Sequence, residues 1–188
     1  MKKAEFNGYP IYLVESVSEI NEMLSRFSPK VYVGLDTETT GLSYLSDKFV
    51  GVSISGGSGY APNSYAGYYL PVRHDRYSNL PVSAVLKVVQ HLVDNFATVF
   101  WNRNFDLFML ENEGFRVPFV GKMNDGQIMA YLLFNEPYPA LKEYAKRLLK
   151  WQVVDFESAS GGDHNFGHTN PEVSFQYAAS DSLMTVML

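Results

Sequence analysis

A chain of 188 residues, 46% hydrophobic and 19% charged with net charge −5, has the make-up of one globular domain. No apolar run approaches the ~20 residues of a membrane-spanning helix, and MKKAEFNGYP lacks the apolar stretch of a secretory signal. The absence of cysteine excludes disulfides and thiolate metal sites and fits a reducing cytoplasm, the expected location. The acidic balance argues against gripping duplex nucleic acid by charge alone. It does not exclude holding a phosphate through bound cations, because such a site must be acidic before the metal arrives.

Ile11 to Val14 alternate like a short strand. Ser16 and Glu19 form an S-x-x-E capping box ahead of Val17, Ile20, Met23, Leu24 and Phe27, which share a helical face that Pro29 ends. VYVGLDTETTG (31–41) is an apolar, β-rich run breaking into acidic and hydroxyl residues. Phe49 to Ser55 and Tyr68 to Val72 read as two more strands across a Gly/Ser-rich connection, with antiparallel neighbours the simplest pairing. Pro81 opens a helix with Val82, Val85, Leu86, Val89 and Leu92 on one face. Thr98 to Trp101 predicts a short strand, and Asn104 to Glu113 a helix that Gly114 ends. Helices are predicted from about Asp125 to Leu133 and from Pro139 to Lys150. A polar, Gly-rich loop (156–170) precedes a last helix from Pro171, which looks cut short, as in a fragment of a longer polypeptide. With no repeat and no linker, residues 1–188 read as one α/β domain, a mixed sheet flanked by helices, with 1–30 as a strand-helix lead-in.

Three short patterns carry the chemistry. Asp36 and Glu38 end the most strand-like segment, and residues i and i+2 of a strand point to one side. Two like charges so placed repel, and a cation between them relieves the cost. Alone, such a pair is equally well a solvated strand end. Asp106 falls in the first turn of a helix after a strand, a favourable partner for the helix dipole or a carboxylate where α/β proteins place ligands. Tyr177 and Asp181, spaced i, i+4, share a face of the last helix. Four acids converging without a basic partner in these patterns suit Mg²⁺ or Mn²⁺. Two such ions ~3.5–4 Å apart are the usual device for in-line attack on a phosphodiester.

DTETTGL, then N-x-x-x-D (102–106), then Y-x-x-x-D (177–181), in that order, resemble the three motifs of DEDD-superfamily 3′-5′ exonucleases, which have a ribonuclease H-like fold. Gln176 stands where one branch has histidine, and Tyr177 occupies the place used by the tyrosine branch. YYLPVRHD (68–75), DGQIMAYLL (125–133) and LKEYAKRLL (141–149) are similar to segments of the proofreading exonuclease domain of family A DNA polymerases.

The resemblance implies that Asp36, Glu38 and Asp181 hold one Mg²⁺ or Mn²⁺, with Asp36 bridging to a second supported by Asp106. It implies that Tyr177 orients the attacking water, that Leu42 wedges against the terminal base and that Asn102 contacts the terminal nucleotide. Phe105 replaces a tyrosine common at its place, which keeps stacking and excludes a hydroxyl role. The implied substrate is a single-stranded DNA 3′ end, released as nucleoside 5′-monophosphates, and the implied partner is a polymerase domain in the same polypeptide or a separate chain. The alternatives are an exoribonuclease or a non-catalytic nucleic-acid-binding relative on the same fold.

Other residues keep two readings. His74 touches substrate or makes a structural hydrogen bond, and His164 and His168 sit in the Gly-rich loop with a zinc site as the alternative to none. Trp101 and Trp151 read as core or boundary. Lys142, Lys146, Arg147 and Lys150 spread over more than one helical face and read as solvated, with phosphate steering the alternative.

Overall fold

The computed structural model describes residues 1–117, 123–160 and 162–188. The chain opens with two strands, β1 (Lys2–Phe6) and β2 (Tyr9–Leu13), paired antiparallel. Only the second is visible in the hydrophobic pattern. The signal for the first is the turn: Asn7 and Gly8 both take positive φ (47° and 85°), the geometry that Asn-Gly supplies to a tight hairpin. Helix α1 (Val17–Ser25) starts as expected, with the Ser16 side chain accepting from the Glu19 N–H. Glu19 closes back onto the Glu15 N–H rather than onto Ser16, and the helix ends before Phe27, four residues ahead of Pro29.

Strands β3 (Tyr32–Thr39), β4 (Phe49–Gly57) and β5 (Tyr65–Pro71) form the expected antiparallel meander. Helix α2 (Val82–Asn95) leads into β6 (Ala97–Phe100), α3 (Arg103–Glu111), a short β7 (Met123–Asp125) and α4 (Gly126–Phe134). The helix expected over Pro139–Lys150 is α5 (Leu141–Tyr144), continued by a π-helical turn over Ala145–Leu149. The expected loop 156–170 instead contains a short helix, α6 (Phe156–Ser160), and a 3₁₀ turn at Phe166–His168; residue 161 lies outside the described residues. Helix α7 (Pro171–Met187) closes the described chain.

The seven strands lie in the order β1-β2-β5-β4-β3-β6-β7. β2 runs parallel to β5, and β6 runs parallel to both β3 and β7, so the sheet is mixed. Strand alternation sorts the core onto two faces. Val52, Ile54 and Leu70 face α1 and α2, while Val50 and Tyr69 pack with Phe175, Ala178 and Leu183 of α7.

Helix α7 is buried along most of its length, so its residues are apolar or small nearly all round. Two glycines let it lie on the sheet. A Cβ on Gly34 would stand 2.3 Å from the Ser182 carbonyl oxygen, and one on Gly67 would stand 2.6 Å from that of Ala179. The Ser55 and Ser182 hydroxyls bond across the same contact at 2.8 Å. This close approach fixes the i, i+4 pair Tyr177 and Asp181 against the strand that carries Asp36 and Glu38. Gly34→Ala should therefore cost about 1–3 kcal/mol, the usual penalty of overpacking. Denaturant unfolding reads it, and a Gly34→Ala protein as stable as the parent would contradict the close helix–sheet contact.

Candidate active site

Asp36 and Glu38 project from β3 and Asp181 from α7, and each offers an oxygen within 4.8 Å of the others. A register shift between Glu38 and Thr39 breaks the β3–β4 pairing just after the second acid, as bulges beside functional sites do. The three acids line a cleft of about 650 Å³ together with Leu42, Phe105, Phe156, His164 and Tyr177. Its lining thus combines acidic with apolar and aromatic side chains.

Asp106 stands apart from this trio. Its Oδ1 accepts from both the N–H and the hydroxyl of Thr37 at 2.8 Å, the residue between the two strand acids. Burial pushes Asp106 up to about 7 against those two bonds. The start of α3 is itself pinned by Asp125, whose Oδ2 accepts from the Arg103 N–H at 3.0 Å while its Oδ1 caps α4. Asn102 takes a left-handed φ of 65° at this corner and is exposed, outside the lining of the cleft. The structure thus gathers Asp36, Glu38, Tyr177, Asp181, Leu42 and Phe105 in one cleft, with Asp106 behind Thr37 and Asn102 at the rim of α3.

Desolvation and mutual repulsion dominate the electrostatics. Asp36 is raised well above the ordinary carboxylate range by burial, then by Asp106, Glu38 and Asp181. Glu38 is raised likewise by burial and then by Asp181. Burial lifts Asp181 to about 6 even though Lys142 and Tyr177 oppose the shift. Burial, then Asp181, Glu38 and Asp36, drive the Tyr177 hydroxyl far up, so it stays protonated and able to donate.

The expectation that Lys142 is solvated needs correction: the acids gain a basic neighbour from outside the three patterns. The Lys142 ammonium lies 3.6 Å from Asp181 Oδ2 and 3.8 Å from the centre of the Tyr177 ring. No periodicity in 141–149 marks that lysine; its direction follows from how α5 packs on α7. Lys146 pairs with Glu143 and Arg147 with Glu136, both at the surface as expected. Phe156, which packs edge-on against Tyr177 at 5.7 Å, was concealed in a segment that reads as loop.

One cation does not satisfy three acids. Among the described residues, the buried Glu38 Oε1 and Asp181 Oδ1 have no hydrogen-bond partner. Unpartnered carboxylate oxygens crowded on one point are the donor set that a hard divalent cation fits. The histidines resolve differently. His74 Nδ1 donates to the Thr169 carbonyl at 2.9 Å, which leaves Nε2 to accept from the Tyr69 hydroxyl at 2.7 Å. Burial lowers its pKa, as a neutral structural ring requires. His168 pairs with Asp163 at the surface, and His164 lines the cleft. The Trp101 indole donates to Pro139 and Trp151 packs on Phe6, both boundary roles.

With this geometry, residues 11–188 match the 3′-5′ exonuclease family of the DNA polymerase A type, and the chain belongs to that family. It is 24% identical over 171 residues to DNA polymerase I of Borreliella burgdorferi, an alignment covering 90% of this chain and 18% of that protein. The chain spans about a fifth of the length of the curated relatives it matches. Among solved structures, Trypanosoma brucei RNase D superposes with a TM-score of 0.70 at 14% identity, over 94% of this chain and 62% of that one. Brucella melitensis NrnC with bound Mg²⁺ superposes with a TM-score of 0.58 at 19% identity, over 93% and 75%. These likenesses establish a ribonuclease H-like α/β fold. Among the described residues, no helix is long and apolar enough to cross a membrane.

The raised acids make a pH prediction. A carboxyl with a folded pKa above its ordinary value opposes folding once pH exceeds that ordinary value, and the full cost is reached above the folded one. For Asp181 the window runs from 3.8 to about 6. In chelator, Asp181→Asn should melt higher than the parent by a margin that grows across this window and reaches several degrees at neutral pH. A margin independent of pH would contradict the raised pKa.

Proposed function

We propose that the cleft is the active site of a metal-dependent 3′→5′ exodeoxyribonuclease that releases nucleoside 5′-monophosphates from single-stranded DNA ends, as the proofreading domain of a family A DNA polymerase. The observation that carries this reading is the trio of half-buried Asp36 with buried Glu38 and Asp181, two of whose oxygens lack partners among the described residues, in the lining of one cleft. Asp36, Glu38 and Asp181 would hold one Mg²⁺ or Mn²⁺, and Asp36 with Asp106 a second; when bound, the ions supply positive charge to phosphate oxygens and acidify water. The Mg²⁺ in the Brucella neighbour supports that choice of ion.

The chain's own groups do the positioning. The Tyr177 hydroxyl, kept protonated, holds the attacking water beside the acids. The water oxygen bonds to the terminal phosphorus as the bond to the neighbouring 3′-oxygen breaks, and that oxygen leaves with a proton. Lys142 brings one positive charge to a site that must admit a phosphodiester. Leu42, 85% exposed at the mouth, and Phe105, half-buried in the wall, would flank the terminal base, with Asn102 reaching its nucleotide from the rim. A frayed end is preferred, because a paired terminus must first unstack at a cost of a few kcal/mol. The length of the Borreliella relative supports a polymerase domain as partner, in the same polypeptide or as a separate chain.

The test is shortening of a 5′-labelled strand from its 3′ end in Mg²⁺, with DNA and RNA of one sequence side by side. DNA is expected to be the better substrate; preference for RNA would favour the exoribonuclease alternative. Asp36→Ala should slow cleavage by several orders of magnitude while folding is kept or improved, since it removes a ligand and relieves repulsion. Near-parental cleavage by folded Asp36→Ala would sink the site assignment. Tyr177→Phe removes one hydrogen bond and leaves the acids in place, so a smaller loss of roughly ten- to a thousandfold is expected, with thermal stability unchanged. Parental single-turnover rates in Tyr177→Phe would reduce this tyrosine to packing.

A further inference from the structure

Large apolar side chains on a protein surface are ordinarily scattered, and a contiguous group of them marks a contact site. Such a group follows the cleft-lining Leu42 and Phe105 in the chain: Leu45 is 88% exposed, and Tyr44 and Phe108 are each 47% exposed. The Tyr44 and Phe108 rings stack with centroids 5.1 Å apart and planes 24° from parallel. Phe108 stands one helical turn beyond Phe105, and Tyr44 two residues beyond Leu42, both of which line the cleft. The stacked pair therefore continues the apolar part of that lining.

The loop that carries it is held in place. Asn112 Nδ2 donates to the Tyr44 carbonyl. Asp47 accepts from the Ser43 N–H and the Thr40 hydroxyl, each at 2.8 Å, and the Lys48 N–H donates to the Thr40 hydroxyl oxygen at 2.9 Å. These bonds preorganise two flat π-faces and a leucine in water, with Asp47, the acid of that loop, engaged in the bonds themselves. Flat, neutral faces continuous with a nuclease cleft fit one ligand chemistry, the bases of an unpaired polynucleotide, which stack on aromatics regardless of sequence. Lys48, exposed at the base of the same loop, suits the phosphates between them.

We propose that Tyr44, Leu45 and Phe108 form a stacking platform for the bases upstream of the terminal nucleotide. The platform rests on the nuclease reading above and extends it from the scissile bond to the strand. It predicts a dependence on substrate length, because a dinucleotide offers a single base upstream of the terminal nucleotide where a longer strand offers several to stack.

The experiment compares kcat/KM on a ten-nucleotide strand with that on a dinucleotide, and measures binding of the labelled ten-nucleotide strand by anisotropy in EDTA, which stops metal-dependent cleavage. In Tyr44→Ala and Phe108→Ala the long-to-short ratio should fall about tenfold and binding should weaken about tenfold, with Tyr44→Trp restoring both. An equal loss on both substrates, leaving the ratio unmoved, would mean a structural role and overturn the platform. Unchanged ratio and binding would overturn it too. If the parent cleaves neither substrate but the variants still bind the strand more weakly, the nuclease reading fails while the platform stands.

Discussion

Carboxylates crowded in a desolvated pocket are the constraint around which this domain is organised. At a separation near 5 Å, two ionised acids repel by about 3 kcal/mol at an effective dielectric constant of ~20, and burial adds to that. The fold holds Asp36, Glu38 and Asp181 together anyway, with Asp106 close enough to raise Asp36 further. Such an arrangement persists only if the surrounding structure leaves the acids nowhere to go. Helix α7 provides that, because its small residues sit directly on Gly34 and Gly67 and its own Phe175 is buried in one cluster with Phe166.

The acids are held differently from one another, and the difference bears on function. Asp106 is tied by two hydrogen bonds to Thr37, and Asp125 pins the start of the helix that carries it. Glu38 and Asp181 each keep an oxygen without a partner among the described residues. Beneath Glu38, Gly51 leaves room for the Tyr69 hydroxyl, and the buried Tyr69–His74–Thr169 chain keeps that floor rigid and neutral. Lys142, from α5 packed against α7, offsets part of the charge. The result is a cleft that puts acidic and aromatic side chains side by side, suited to a ligand that is anionic in one part and flat in another.

Much of this was legible in the sequence, for reasons that can be named. The i, i+2 spacing of Asp36 and Glu38 on a strand and the i, i+4 spacing of Tyr177 and Asp181 on a helix are local rules, and the structure obeys both. The meander β3-β4-β5 followed from short connections between strand-like runs. Failures occurred where long-range packing decides. Lys142 belongs to a helix with charges on several faces, and only its docking on α7 selects the one that matters. The bond from Thr37 to Asp106 joins residues 69 apart in the chain and has no local signature. β1 escaped because its charged residues alternate weakly, although Asn7-Gly8 carried the turn signal. Phe156 was lost among glycines and polar residues that favour a loop, and the aromatic cluster around Phe166 and Tyr177 overrides that preference.

The central claim is that these acids are arranged to receive divalent cations. Thermal unfolding at low ionic strength and neutral pH, with and without saturating Mg²⁺ or Mn²⁺ and with Na⁺ at matched ionic strength, tests it most directly. Ions that bind the native cluster and not the unfolded chain stabilise the fold by mass action. The account predicts a rise in melting temperature with either divalent ion that Na⁺ does not reproduce and that disappears in Asp36→Ala. A melting temperature indifferent to Mg²⁺ and Mn²⁺ would contradict it.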